Sequence, residues 1–257
     1  MNYEKSFKGK SAVVTGGSRG IGRAIAEGLA ARGADVCITY ASHDREANET
    51  LESIKNYGVK GYAFKIDLSE INKVWDLANY AVNSLGKVDI LVNNAGICPF
   101  KDFFEIDIDL FEKVWKVNVE GHFFLTQLLA KQMVKNKIKG RILFISSISA
   151  IVGGEFQAHY TTTKSALNGL MHSLAIVLGK YGILVNSLLP GTIMTDINKE
   201  DLSNLEKRKY MENRTAVKRL GVPADMVGPA LFLVSDENTY VTGSELLADG
   251  GMLINLQ

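Results

Sequence analysis

The sequence predicts a doubly wound α/β domain: one parallel sheet of seven strands with helices on both faces. Three observations carry that expectation. Short β-branched runs alternate with longer helical patterns, the rhythm of strand–helix–strand crossovers. The first run leads into a glycine-rich turn and then an apolar helix, the order in which such sheets build phosphate sites. The 257 residues contain no repeat and no low-complexity linker, so 1–257 reads as a single domain with one large core.

Each element follows from its own pattern. Residues 11–15 (SAVVT) are an apolar run ended by glycines, a buried strand, and 21–31 form the helix after the turn. Residues 36–40 (VCITY) give a second strand and 45–56 a charged, exposed helix. Residues 61–66 give a third strand ending at Asp67, 75–85 a helix, and 89–92 (DILV) a fourth strand. Apolar periodicity over 110–135 predicts one long helix. Residues 141–145 (RILFI) are the fifth strand, 159–180 the next helix, 183–189 the sixth strand and 243–248 the seventh. Residues 192–221 break the rhythm. They are heavily charged (NKEDLSNLEKRKYMENR), with Ile197, Leu202, Leu205 and Met211 spaced as in short amphipathic helices. The segment follows a strand's carboxyl end, where open α/β sheets bind ligands, so it is either a lid or a solvated surface hairpin.

Composition narrows the function. Hydrophobic residues make up 46% and charged residues 22%, with a formal net charge of +1. That is ordinary globular usage without the concentrated basic footprint nucleic acid requires. No window is apolar enough to span a bilayer and the N-terminus lacks a signal-type segment, so no membrane partner is expected. Cys37 and Cys98 form no redox or metal motif, and His43, His122, His159 and His172 have no ligand spacing. These features fit a reduced cytoplasmic protein without a structural metal.

The turn T15-G-G-S-R-G-I-G22 spaces Gly16, Gly20 and Gly22 as G-x-x-x-G-x-G. Glycines let the backbone turn tightly while the helix N-terminus faces a pyrophosphate. A carboxylate at the end of the second strand would accept ribose hydroxyls and repel a 2′-phosphate. Here the chain reads Tyr40, Ala41, Ser42, with no acid before Asp44, which favours NADP while leaving NAD possible. Arg19 is either a donor to the 2′-phosphate or a solvated residue. Asp67 fits either an adenine contact or a helix cap. Asn93, Asn94, Ala95 and Gly96 suit close approach to a cofactor ribose, or simply a turn. HYTTTK, finally, sets Tyr160 four residues before Lys164, one above the other on a helix. The pair is either a surface contact or a base beside the cation that lowers its pKa.

TGGSRGIG, NNAG, the Asn118 of KVNVEG, the Ser147 of ISSIS, and YTTTK together resemble the short-chain dehydrogenase/reductase family, over nearly the entire chain. The resemblance implies a Rossmann-type fold and hydride transfer between a nicotinamide and a carbinol or carbonyl carbon. It implies Tyr160 as general acid/base, Lys164 favouring the phenolate, and Ser147 (rather than Ser146) holding the substrate oxygen. Asn118 would support a water passing protons from Lys164. The implied cofactor site comprises Gly16, Ser18, Arg19, Gly20, Ile21, Gly22, Tyr40, Ser42, Asp67, Leu68, Asn94, Ala95, Gly96, Tyr160, Lys164, Pro190, Ile193 and Thr195. Homotetramers built through the two long helices and the last strand are also implied, the apolar face over 123–133 being either interface or core.

Within the family, NNAGICPF, SSISAIVGG, LPGTIMTDINKEDLSNLEKR and the closing INLQ are most similar to bacterial L-rhamnose 1-dehydrogenases. That implies oxidation of a sugar's anomeric hydroxyl to a lactone. Ser149, Gln157, Thr192 and Asn198 offer the short polar groups a sugar requires, or else cap local turns. The alternative is a 3-oxoacyl carrier-protein reductase. The two positions where such reductases carry arginines are Ile138 and Tyr181 here, with Lys137, Lys139 and Lys180 alongside. A nucleotide-sensing protein without catalysis could dispense with Ser147, Tyr160 and Lys164, and this chain keeps all three.

Overall fold

A computed structural model describes residues 6–255; residues 1–5, and 256–257 of the closing INLQ, lie outside the described residues. Seven strands form one sheet in the order β3-β2-β1-β4-β5-β6-β7, and all six neighbouring pairs are parallel. They are β1 Ser11–Val14, β2 Asp35–Tyr40, β3 Gly61–Lys65, β4 Ile90–Asn93, β5 Arg141–Ile145, β6 Leu184–Pro190 and β7 Glu245–Ala248. The connecting helices are α1 Gly20–Ala31, α2 Asp44–Asn56, α3 Val74–Leu85, α4 Ile108–Trp115, α5 Gly121–Lys135, α6 Ala158–Gly179, α7 Leu205–Arg214 and α8 Val227–Val234. The chain leaves β1 toward β2 and β3, then returns to place β4 on β1's other edge. The crevice at those carboxyl ends is the topological switch point.

The central strands are apolar throughout because both faces are covered. Ala12 and Val14 of β1 pack with Ile25 and Leu29 of α1 and Leu231 of α8. Val13 points the other way, into a core with Leu77 of α3, Leu129 of α5 and Met171 of α6. Each such side chain contributes about 1.5–3 kcal/mol by leaving water.

Three segments differ from expectation. The single helix over 110–135 is interrupted by a π turn at Lys116–Glu120, where the Gly121 N–H reaches back five residues to the Lys116 carbonyl. Apolar periodicity survives one inserted residue, so the sequence pattern does not register it. Gly121 also packs tightly, since a Cβ there would stand 2.7 Å from the Leu68 carbonyl oxygen. The sequence marks no element at 227–234, which forms α8. Its sequence VGPALFLV is apolar on every side, so it carries no helical period.

The third is 192–221. It holds a short 3₁₀ turn, Asp201–Ser203, and α7, none of whose residues is buried. Leu202 is buried, whereas Leu205 is 76% exposed, so the amphipathic reading holds at Leu202 and fails along α7. The segment's base is pinched: Gly221 N–H donates to the Thr192 carbonyl at 3.0 Å, and Met194 N–H to the Gly221 carbonyl at 2.9 Å.

Candidate active site

The carboxyl ends of β1, β2, β4, β5 and β6 open onto a cleft of about 920 Å³. At the β1 end the glycine loop turns through Gly16 (φ +63°) and Gly20 (φ +57°), left-handed conformations open to glycine without strain. The loop is clamped from β4: Asn94 Nδ2 donates to the Thr15 and Gly16 carbonyls at 2.9 and 3.1 Å. Thr15 Oγ1 accepts the N–H groups of Asn94 and Ala95 at 2.9 and 3.0 Å. NNAG is thus the end of β4 and the start of an irregular loop, and it fixes the glycine loop. Gly22 lies beneath it rather than on the cleft wall, where a Cβ would stand 2.2 Å from the Gly16 carbonyl oxygen. Gly20 and Ile21, in the first turn of α1, line the cleft. Loop, helix terminus and cleft together fit a dinucleotide.

Ser18, Tyr40, Ser42, Asp67, Leu68, Pro190, Ile193 and Thr195 all line the same cleft. Asp67 accepts from Ser69 N–H at 2.9 Å, so it closes a turn while facing the cleft. Arg19 is not a free solvated residue: its Nη1 donates to Asp196 Oδ2 at 3.0 Å, bridging the glycine loop to the segment after β6. Asp44, the first acid after β2, is neutralised by Lys65 at 2.7 Å and hydrogen-bonded to Tyr40, which hold its carboxyl below the usual range. Sequence reading missed Lys65, which is brought beside Tyr40 only by the β2–β3 register.

At the other end, Tyr160, Lys164 and Ser147 meet. Lys164 Nζ donates to the Ile145 carbonyl at 2.8 Å and stands 5.5 Å from the centre of the Tyr160 ring. Burial pushes the Lys164 ammonium down to about 8. Burial also raises the Tyr160 pKa, and the Ser147 hydroxyl bonded to it acts in the opposite direction. The Lys164 ammonium, bonded to that main-chain carbonyl, faces the Tyr160 ring as its neighbouring cation. Ser146 Oγ bonds the Lys164 carbonyl at 3.1 Å.

Asn118 sits in the π turn, fully buried and off the cleft wall. Its Oδ1 accepts from Ile97 N–H at 2.9 Å, and its Nδ2 donates to the Ile97 carbonyl and to Thr163 Oγ1 at 3.0 and 3.1 Å. A methyl on Gly96 would lie 3.4 Å from Asn118 Oδ1 and 3.6 Å from Lys164 Nζ, so glycine there leaves space between the two.

Of the proposed substrate contacts, Ser149 Oγ bonds Gln157 Oε1 at 3.3 Å and both face the cleft. Thr192 lines it too, its hydroxyl 3.8 Å from Met252 Sδ. Asn198 lines the cleft, but both ends of its amide engage the turn, with Ile193 O at 2.9 Å and Thr195 N at 3.0 Å. No signal in the sequence marked Cys98, Val152, Phe156 or Met252, which also line the cleft. Among the described residues no cluster of three or more His, Cys, Asp or Glu could hold a metal ion, and no helix is long and apolar enough to cross a membrane.

The family described as "Enoyl-(Acyl carrier protein) reductase" matches residues 16–253. An L-rhamnose 1-dehydrogenase (NADP(+)) from Thermoplasma acidophilum is 72% identical, over 98% of this chain and 99% of its own. The chain belongs to the short-chain dehydrogenase/reductase family. An L-rhamnose 1-dehydrogenase (NAD(P)(+)) from Sphingomonas sp. is 51% identical over 98% of this chain and 100% of its own. Among solved structures, a short chain dehydrogenase from Burkholderia cenocepacia in complex with NADP superposes with a TM-score of 0.90. It is 33% identical, covering 97% of this chain and 100% of that one. The likeness to this structure is therefore one of whole fold.

Proposed function

We propose that this enzyme oxidises L-rhamnose, or a closely related aldose, at C1 to the lactone, with NADP as the preferred hydride acceptor and NAD a possible substitute. The observation that carries the reading is the meeting of Tyr160, Ser147 and Lys164 in one cleft with the glycine loop. The 72% identity to a protein named for that sugar supports the substrate.

When bound in this cleft, oxidised NADP would supply a hydride acceptor and a positive charge. Tyr160, as phenolate, takes the proton of the anomeric hydroxyl, while Ser147 donates to that oxygen and holds it in line. A free phenol titrates near 10, so Tyr160 needs stabilisation of its anion, which the Ser147 hydroxyl and a neighbouring cation provide. Lys164, whose ammonium donates to the Ile145 carbonyl and is pushed down to about 8 by burial, exchanges its proton with solvent through the space that Gly96 leaves beside Asn118. Ser149, Gln157 and Thr192 pair with the sugar's remaining hydroxyls; leaving one buried and unpaired costs about 1–3 kcal/mol. Asn198 acts through the turn it closes. Residues 192–221, pinched at their base, serve as the lid.

The surface argues against the carrier-protein alternative, which needs a basic docking patch. Ile138 packs against the core and Tyr181 is uncharged, so the two arginine positions supply no cation of their own and a basic patch would be left to Lys137, Lys139 and the Lys180 that lies over the Tyr181 ring. A tetramer built through α5 and α6 is part of the proposal. Leu125, Leu129 and Met133 are core, while Phe123 is 42% and Ile176 83% exposed, apolar surface suited to a second copy.

One spectrophotometric panel tests the reading: NAD⁺ and NADP⁺ with L-rhamnose, related aldoses and simple alcohols, and NADPH with an acetoacetyl thioester. Turnover of L-rhamnose with NADP⁺ is expected. Turnover of the thioester without any sugar would sink the proposal.

A further inference from the structure

His122 lies in the first turn of α5, just past the π turn, and is fully buried, yet it touches neither substrate nor cofactor in the proposed reaction. Its ring reaches in two directions. Nδ1 is 3.0 Å from the Asn118 carbonyl oxygen, and Nε2 is 3.2 Å from Thr15 Oγ1. A carbonyl only accepts, so Nδ1 carries the ring proton and donates it. Nε2 is then an acceptor, and the Thr15 hydroxyl proton points to it. The hydroxyl's lone pairs are already taken by Asn94 and Ala95 N–H, and the competing acceptor, Val92 O, is farther away at 3.4 Å. Neighbouring groups therefore fix one tautomer. Burial, followed by the nearby Lys164 charge, keeps the ring neutral, its pKa pushed down to about 4 although the Asn118 carbonyl opposes the shift.

We propose that His122 is a positioning residue: its neutral imidazole joins the carbonyl of Asn118 to the hydroxyl of Thr15. The loop that cradles the cofactor phosphates and the π turn that carries Asn118 are thereby held in one geometry. A misplacement of 1 Å in such an array can cost about a hundredfold in rate. The inference rests on the reading of Asn118 as support for proton exchange at Lys164.

The two bonds can be cut separately. An Asn side chain can place its N–H near the Nδ1 position, and a Gln reaches the Nε2 position. His122→Leu removes both bonds with similar bulk. The leucine variant is expected to lose about tenfold to a hundredfold in kcat and to weaken NADPH binding, followed by fluorescence on the unliganded protein. His122→Asn should recover most of kcat but not the NADPH affinity; His122→Gln should do the reverse. Amide exchange of the unliganded leucine variant should rise at residues 16–21 and 116–121 while β5 stays at the wild-type level. A leucine variant with wild-type kcat, NADPH affinity and exchange at those segments, changed only in melting temperature, overturns the inference. If that variant does not fold, equal kcat in the Asn and Gln variants overturns it instead. Asn118→Ala run alongside separates the two readings. If it keeps kcat, the relay assignment of Asn118 fails, and the exchange pattern still decides the bridge. If it loses kcat while His122→Leu keeps it, the positioning inference alone falls.

Discussion

On one side of the cleft, Thr15, Asn118 and Lys164 are buried and bonded to main-chain atoms of the loop after β4 and of β5. On the other side, residues 192–221 meet the cleft with exposed side chains paired in solvent, Arg19 with Asp196 and Lys207 with Asp201. The first region is over-determined, since nearly every polar atom has a partner whose loss leaves another buried group unsatisfied. The second is held by pairs that water can replace at little cost. Chemistry belongs where geometry is fixed, and admission of ligands where it is cheap to change.

The largest effect should come from the fixed side. Tyr160→Phe removes one oxygen from a site whose other contacts stay in place. Turnover should fall about 10²–10⁴-fold, the range of one general acid/base, with NADPH affinity nearly unchanged by fluorescence titration. A variant retaining turnover would refute the assignment of Tyr160 as base and break the link between rigidity and chemistry.

Next is acid lability. His122 titrates near 6.5 when unfolded and near 4 when folded, so between these values the unfolded chain binds more protons and stability rises with pH. Its contribution is complete above about 6.5 and is lost as pH falls toward 4, in total about 3 kcal/mol. Urea midpoints at pH 7 and pH 4.5 should separate strongly in the wild type. His122→Leu, which lacks the titrating group, should show a smaller separation. An identical separation in both would mean that the imidazole is solvated.

Gly22→Ala tests the clamped loop. Its Cβ would meet Gly16 O at 2.2 Å and Asn94 Nδ2 at 2.4 Å, so the loop has to shift. The KM for NADP⁺ should rise about tenfold or more, since preformed loops lower the cost of binding, with kcat changed less. An unaltered KM would show the loop to be as pliable as the excursion.

These two regions also mark how far the sequence could be read. The sheet was legible because buried strands are continuous apolar runs and the glycine turn has a fixed place among them. Tyr160, Lys164 and Ser147 were legible because family motifs fix their positions. What escaped depends on three-dimensional register. Lys65 reaches Asp44 only through β2–β3 pairing, and the π turn is one residue within an otherwise regular apolar period. His122 stands 107 positions from Thr15, a separation no local pattern carries. Helix α8 has no polar face to reveal its period, and α7 is too exposed for its few apolar residues to mark one.

The smallest expected effect is on stability at the Arg19–Asp196 bridge, and it sharpens the comparison most. The side chains are 45% and 52% exposed, and pairs of that kind contribute about 0–1 kcal/mol. Asp196→Ala and Arg19→Ala should therefore leave urea midpoints almost unmoved. Their kinetics should diverge. Arg19 lines the cleft with Tyr40 and Ser42, so if its guanidinium receives the 2′-phosphate, Arg19→Ala raises the KM for NADP⁺ and leaves that for NAD⁺ alone. Asp196→Ala releases the same guanidinium and should lower the KM for NADP⁺ or leave it unchanged. Equal effects of Arg19→Ala on both cofactors would assign the arginine to the bridge alone. Cofactor choice would then have to rest on Lys65, whose ammonium neutralises the first acid after β2, so that Lys65→Met becomes the variant that shifts preference toward NAD⁺.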